Sequence, residues 1–129
     1  MSEPLLVLDP DAPEPPSEQI VAQLRLQIAA GNLPPGAGLP SVRQLARDLG
    51  VAPNTVVRAY DELGRQGWVV ASARRGVAVA DVSAPVRRAE RRREVEQAVA
   101  RLVVTARRLG VGAAELRAEI DRQLAAQGG

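Results

Sequence analysis

Apolar residues recur through the first half of the chain at the spacing of helix faces, and each run is closed by glycine or proline. Ile20, Leu24 and Ile28 fall at i, i+4 and i+8 with Val21 beside them, which predicts a first helix with Ser17 as its N-cap and Gly31 as its stop. Residues 32–40, "NLPPGAGLP", read as a loop. Ser41 followed three residues later by Gln44 is a capping-box signature for a second helix that buries Leu45 and Leu49 and ends at Gly50. Asn54 then reads as the cap of a third helix, with Val56, Ala59, Tyr60 and Leu63 on one face and Gly67 closing it.

Beyond Gly67 the pattern changes to β-branched runs, residues 68–71 and 77–80, around "SARRG". That is a hairpin whose turn carries Arg74, Arg75 and Gly76. Upstream, residues 5–9 have the composition of a short strand, and the proline-rich acidic run after them reads as an extended lead-in. Pro85 marks the next boundary. A long helix is expected over residues 86–109, with Val95, Val99, Leu102, Val103, Ala106 and Leu109 on one side, and "GVG" breaks it. Leu116, Ile120 and Leu124 repeat at i+4 in a last helix, with Gly112 at its N-cap and Glu115 at N3, so the two helices form an antiparallel hairpin.

The expected fold is mainly α with a small β-hairpin. A lead-in (1–16) precedes a winged helix-turn-helix (17–82), and a two-helix dimerisation tail (86–127) follows.

Composition narrows the function. With 129 residues and 46% hydrophobic content the chain suits one compact domain with an appendage, not a large enzyme core. Cysteine and histidine are both absent, which removes disulfides, thiolate metal sites and histidine-based triads. No phosphate-binding glycine loop ending in lysine occurs, so neither an enzyme activity nor a cofactor or metal is expected. The first residues lack the positive segment of a signal peptide and no apolar run approaches a membrane span of ~20 residues, so a cytoplasmic protein is expected.

The net charge is only +2, and every basic residue is arginine. Residues 1–18 carry five acids and no base, residues 19–80 seven arginines against three acids, and residues 81–129 ten against seven. Guanidinium pairs bidentately with phosphate and holds its charge at any working pH, so an arginine excess over the middle of a small domain suits a nucleic acid. A solvated arginine-rich surface fits the same counts.

A helix-turn-helix presents its second helix to the major groove while the first lies over the backbone. The residues so presented are Asn54, Thr55, Val57 and Arg58, with Asp61 further along. Asn pairs with adenine, Arg with guanine, and the Thr and Val methyls meet thymine. Arg43 and Arg47 on the second helix are placed for phosphates, and Arg74 and Arg75 on the wing for phosphate or an adjacent minor groove. Two of these have plainer alternatives: Arg43 as an ion-pair partner of Asp48 or Glu62, and Asn54 as a helix cap alone.

These residues carry a resemblance. The elements "QI…L…I..G.LPPG..LPSVR.LA..LGV" and "NTV.RAY.EL...G", together spanning about residues 15–80, resemble the N-terminal domain of the GntR family of bacterial transcription regulators. The remainder is similar to the short-tailed YtrA subfamily. The resemblance implies a homodimer on a two-fold-related operator, autoregulatory repression, an operon that commonly encodes an ABC transporter, and DNA contact by Arg43, Asn54, Thr55, Arg58 and Gly76. Ser17 stands where the family usually has an aromatic, and Pro53 where many members have arginine or another polar residue, so no operator sequence carries over.

The tail supports dimerisation independently. Val95, Val99, Leu102, Val103, Leu109, Leu116, Ile120 and Leu124 form stripes that a four-helix arrangement from two chains would cover, the alternative being a tail folded back on its own domain. "RRAERRRE" reads as a solvated helix face, with an extended DNA-binding surface as the other option. A small-molecule effector is compatible, but no residue cluster identifies one. The leading function is a dimeric, sequence-specific DNA-binding repressor, against a winged-helix protein-interaction module without specific DNA binding.

Overall fold

The computed structural model describes residues 6–128. In chain order its elements are α1 (Pro16–Ala29), α2 (Val42–Leu49), α3 (Pro53–Arg65), β1 (Val69–Ser72), β2 (Gly76–Val79), α4 (Ala84–Arg108) and α5 (Ala113–Ala126). They fall into two compact units, one ending at Arg91 and the other starting at Arg92, a division inside α4.

In the first unit, α1 contributes Ile20, Leu24 and Ile28, α2 contributes Leu45 and Ala46, and α3 contributes Val56, Ala59, Tyr60 and Leu63 to one core. Trp68, Val69 and Val79 of the hairpin region close it from the side, and Leu33 and Leu39 do so from the loop before α2. With two aromatics in the whole chain, this core is filled almost entirely by aliphatic side chains.

Two helix starts differ from the sequence expectation for one physical reason. The N-cap of α1 is Pro15, with Pro16 opening the helix and Ser17 already inside it; the N-cap of α3 is Ala52, with Pro53 opening that helix and Asn54 second. Neither cap makes a side-chain hydrogen bond. Proline at the first helical position arrives with its φ already helical and lacks an N–H that would go unpaired there, so it begins a helix without a polar cap. Ser41 does cap α2, accepting from Gln44 N at 3.1 Å. The box is one-sided, because the Gln44 carboxamide turns away and donates to Asp48 Oδ1.

The ends of α2 and α3 share a bonding pattern. Val51 N donates to Ala46 O and Gly50 N to Arg47 O, while Trp68 N donates to Leu63 O and Gly67 N to Gly64 O. These paired bonds satisfy the last helical carbonyls and need a left-handed residue, supplied at the first turn by Gly50 with φ 69°. Because the Trp68 N–H is spent on α3, only its carbonyl joins the hairpin, accepting from Ala80 N, and the paired strands run one residue later than the sequence suggested, from Val69 with Val79 through Ser72 with Gly76.

The expected strand over residues 5–9 is not formed among the described residues: residues 6–9 belong to no strand, and Leu5 lies outside the described residues. Side-chain amides of α1 take the place of a partner strand. Val7 N donates to Gln23 Oε1 and Gln23 Nε2 to Val7 O; Asp9 N donates to Gln19 Oε1 and Gln19 Nε2 to Asp9 O. Leu6 and Leu8 pack against the core between these brackets.

α4 begins at Ala84, so Pro85 lies in its first turn and not outside it. Arg87 N makes its first-turn bond to Ser83 O, and Pro85 precedes the point at which helix amides need an internal acceptor. In the second unit, α5 starts after Gly112 with Glu115 in its first turn, and none of its residues is buried. No helix among the described residues is long and apolar enough to cross a membrane.

Candidate nucleic-acid interface

The turn at residues 50–52 is short and its bonds are closed, so α2 and α3 are held as a pair with their apolar faces on the α1 core. The faces they leave outside are polar. Arg43 and Arg47 of α2 are exposed, as are Asn54, Val57, Arg58 and Asp61 of α3, while Thr55 is half-buried. Val57 and Arg58 follow the buried Val56 and precede the buried Ala59, which sets them on the outer side of the helix at its N-terminal half.

Arg43, Arg47, Arg58 and Arg74 make no side-chain hydrogen bond or ion pair among the described residues. The acids that the sequence offered Arg43 are engaged elsewhere: Asp48 accepts from Gln44, and Glu62 pairs with Arg65 and accepts from Gln66 Nε2 at 2.7 Å. Asn54 is likewise relieved of capping by Pro53, so its carboxamide has no structural duty at the helix start. A surface with unpaired guanidiniums and an uncommitted carboxamide can take up phosphates and a base edge with no internal bond to break first.

Tyr60 fixes this pair from behind. Its hydroxyl donates to Pro40 O at 2.6 Å, joining the middle of α3 to the residue before the Ser41 cap. Burial raises the phenol well above its ordinary titration range.

The wing is more than two strands. Gly36 N donates to Val79 O, Val79 N to Ala37 O and Leu39 N to Val77 O, each at 2.8 Å, and Gly38 bridges Ala78. The loop before α2 thus runs along the outer edge of β2. At the tip Gly76 has φ 73°, and Arg75 Nη1 donates to Gly36 O at 2.6 Å.

Sequence reading missed a polar group at the start of α4. Glu90, expected on a solvated face, is buried with 4% exposure and accepts from Arg25 Nε at 2.9 Å. Arg25 Nη1 also donates to Gln66 Oε1 just past α3, and Arg91 Nη1 donates to Ala29 O at the end of α1. Part of "RRAERRRE" is therefore an anchor inside the first unit. Its signal in the sequence is faint, since Arg25 and Glu90 are 65 residues apart.

In the second unit the tail residues expected to dimerise lie largely in solvent. Val95, Val99, Leu102, Leu109, Ile120 and Leu124 are exposed by between 37% and 74%, and Val103 and Leu116 are half-buried. Leu102, Leu116, Ile120 and Leu124 line one groove of about 420 Å³ with Glu119, Gln123 and Gln127. Leu109 stands just past the end of α4. Among the described residues no group of three or more His, Cys, Asp or Glu is placed to hold a metal.

Three helices on one aliphatic core, a closed turn between the second and third, and a hairpin beside them define a winged helix-turn-helix, a DNA-binding class of fold. The family model for bacterial regulatory proteins of the gntR family matches residues 16–79. The HTH-type transcriptional repressor YtrA of Bacillus subtilis is 38% identical over 77 residues, 60% of this chain and 59% of that protein. The HTH-type transcriptional regulator Rv1152 of Mycobacterium tuberculosis is 52% identical over 58 residues, 45% of this chain and 48% of that one. The structure of YtrA from Sulfolobus acidocaldarius, a GntR-family transcription factor, is 35% identical with a TM-score of 0.58, and the match covers 74% of this chain and 97% of that one. The chain thus spans about half the length of these two curated relatives. It belongs to the GntR family, as a DNA-binding transcription regulator of the YtrA-like kind.

Proposed function

We propose that this chain is a homodimeric repressor that reads a palindromic operator through α3, in the bacterial cytoplasm. Residues 17–82 act as the reading domain and residues 86–127 as the dimerisation tail. Asn54, Thr55, Val57 and Arg58 face base edges; Arg43, Arg47 and Arg74 face phosphates; Gly76 lets the wing tip approach the backbone closely. The observation that carries this reading is the set of arginines on α2, α3 and the wing tip with no partner among the described residues. Repression is supported by likeness to the transcriptional repressor YtrA of Bacillus subtilis. Autoregulation, an ABC-transporter operon and a small-molecule effector follow from likeness to the YtrA branch.

Dimerisation is supported by the uncovered tail. Burying six such aliphatic side chains per chain, at ~1.5–3 kcal/mol each, contributes on the order of 10 kcal/mol gross, an upper bound from which ordering and association costs are subtracted.

Fluorescence-anisotropy titration against the duplex upstream of the gene and a scrambled duplex, at two salt concentrations, tests the proposal. Saturable, tighter binding to the upstream duplex with two chains per site is the expected result. Absence of salt-dependent binding to either duplex would replace it with a winged-helix protein-interaction module.

A further inference from the structure

Arg74 and Arg75 are adjacent at the wing tip and look equivalent as sequence, but their surroundings differ. Arg74 has no side-chain partner among the described residues. Arg75 is bound at three levels: its amide donates to Ser72 Oγ at 3.2 Å, its aliphatic stem lies over Gly38, and its Nη1 donates to Gly36 O at 2.6 Å. A Cβ placed on Gly38 would stand 3.4 Å from Arg75 Cβ and 3.5 Å from its Cδ, in van der Waals contact, so the stem lies directly against this stretch of the loop and a larger side chain there would press on it.

The loop that receives Arg75 is itself tied to the DNA-reading pair. It follows β2 through Gly36, Ala37 and Leu39, then runs through Pro40, which accepts from Tyr60 of α3, into the Ser41 cap of α2. A side chain anchored on this loop therefore sets where the hairpin tip stands relative to α2 and α3. Nothing comparable holds the tip from its other side among the described residues, since Ala73 and Arg74 are exposed and make no such bond.

We propose that Arg75 is a positioning residue that clamps the wing tip to the loop before α2, and that Arg74 is the wing's phosphate contact. This rests on the DNA-binding reading above. The clamp presents Arg74 at a fixed height beside the recognition helix, so the wing's contact is made without first ordering the turn.

A double-mutant cycle in operator affinity and salt dependence separates the roles. A phosphate contact releases counterions and contributes ~0.9 to the slope of log affinity against log salt, whereas a clamp contributes only through the contact it positions. Arg74→Ala should flatten the slope by ~0.9 per bound chain. Arg75→Ala should weaken operator binding by roughly two- to tenfold, the worth of one hydrogen bond. The double variant should keep the slope of Arg74→Ala and bind within about twofold of it, because the clamp then has nothing to position. A double variant that loses about twice the slope would make Arg75 a phosphate contact in its own right and overturn the proposal. A DNA-free check uses thermal unfolding of Arg75→Ala, Gly38→Val and the pair. Non-additive losses are expected, and strictly additive ones would remove the clamp whatever the DNA result. If the wild-type protein binds no DNA, the functional reading fails while this unfolding cycle still judges the clamp.

Discussion

The hydroxyl of Tyr60 and the carbonyl of Pro40, 2.6 Å apart, join the recognition helix to the entrance of the helix before it. Tyr60→Phe keeps the ring in the core and leaves the Pro40 carbonyl without this donor, so a loss of ~1–2 kcal/mol is expected by urea unfolding near neutral pH. Burial of the same hydroxyl makes stability pH-dependent at the alkaline end. The folded phenol titrates above its ordinary value of 10.0, so its contribution is complete below that pH and declines as pH rises toward the folded value, where the unfolded chain alone ionises. The Phe variant should lack that part of the alkaline decline, and an unchanged decline would show that another group causes it.

Asn54 and Ser41 both precede or open a helix of the reading pair, but only Ser41 caps. Ser41→Ala should cost ~1 kcal/mol of stability. Asn54→Ala should cost a few tenths at most yet lose ~1–3 kcal/mol of discrimination between operator and scrambled duplex. Thermal melts and anisotropy on the same two variants decide it, and a melt that falls equally for both would return Asn54 to a capping role.

Arg58→Ala should abolish discrimination between operator and random DNA, while Arg43→Ala should weaken both about equally and lower the salt slope by ~1. Equal losses on the two duplexes for Arg58 would move it from base reading to phosphate contact.

Removing the acid of the Arg25 and Glu90 pair leaves a guanidinium that is three-quarters buried with Gln66 alone for company. Glu90→Ala is expected to destabilise the protein by ~1–3 kcal/mol, less than the cost of orphaning a fully buried charge because Arg25 keeps some contact with water. Glu90→Gln should recover part of it, measured by the shift of the urea midpoint.

Ile120→Asp places a charge in the tail groove beside Leu102, Leu116 and Leu124. On the proposed dimer, sedimentation should show the wild type as two chains and the variant as one at the same concentration, and operator binding should fall by at least tenfold. A variant that stays dimeric would send the search for the interface elsewhere.

The helices were legible because their apolar residues repeat at the helical period: Ile20, Leu24 and Ile28 are core residues in the structure, as are Val56, Ala59, Tyr60 and Leu63. Their first residues were misread where proline opened the helix, since Ser17 and Asn54 look like caps to any rule that weighs polar side chains and ignores a preceding proline. The wing shifted by one residue because helix closure claimed the Trp68 amide, a competition visible only when both elements are built. The exposed side of α3, with Asn54, Val57, Arg58 and Asp61, could be read from its helical phase. Arg75 and Glu90 could not, because each is defined by a partner far along the chain: Gly36 for one, Arg25 for the other.

The carboxamides of Gln19 and Gln23 bond to main-chain atoms of Val7, Asp9 and Glu14, with Leu6 and Leu8 packing inward. A segment bearing Asp9, Asp11 and Glu14 is thus fastened by neutral groups, with none of its charges used in the fastening to α1. Salt that strips arginines from phosphate has no purchase on such a clasp. The lead-in clasp and the proposed operator contact should therefore answer to different solution conditions, the first persisting where the second has let go.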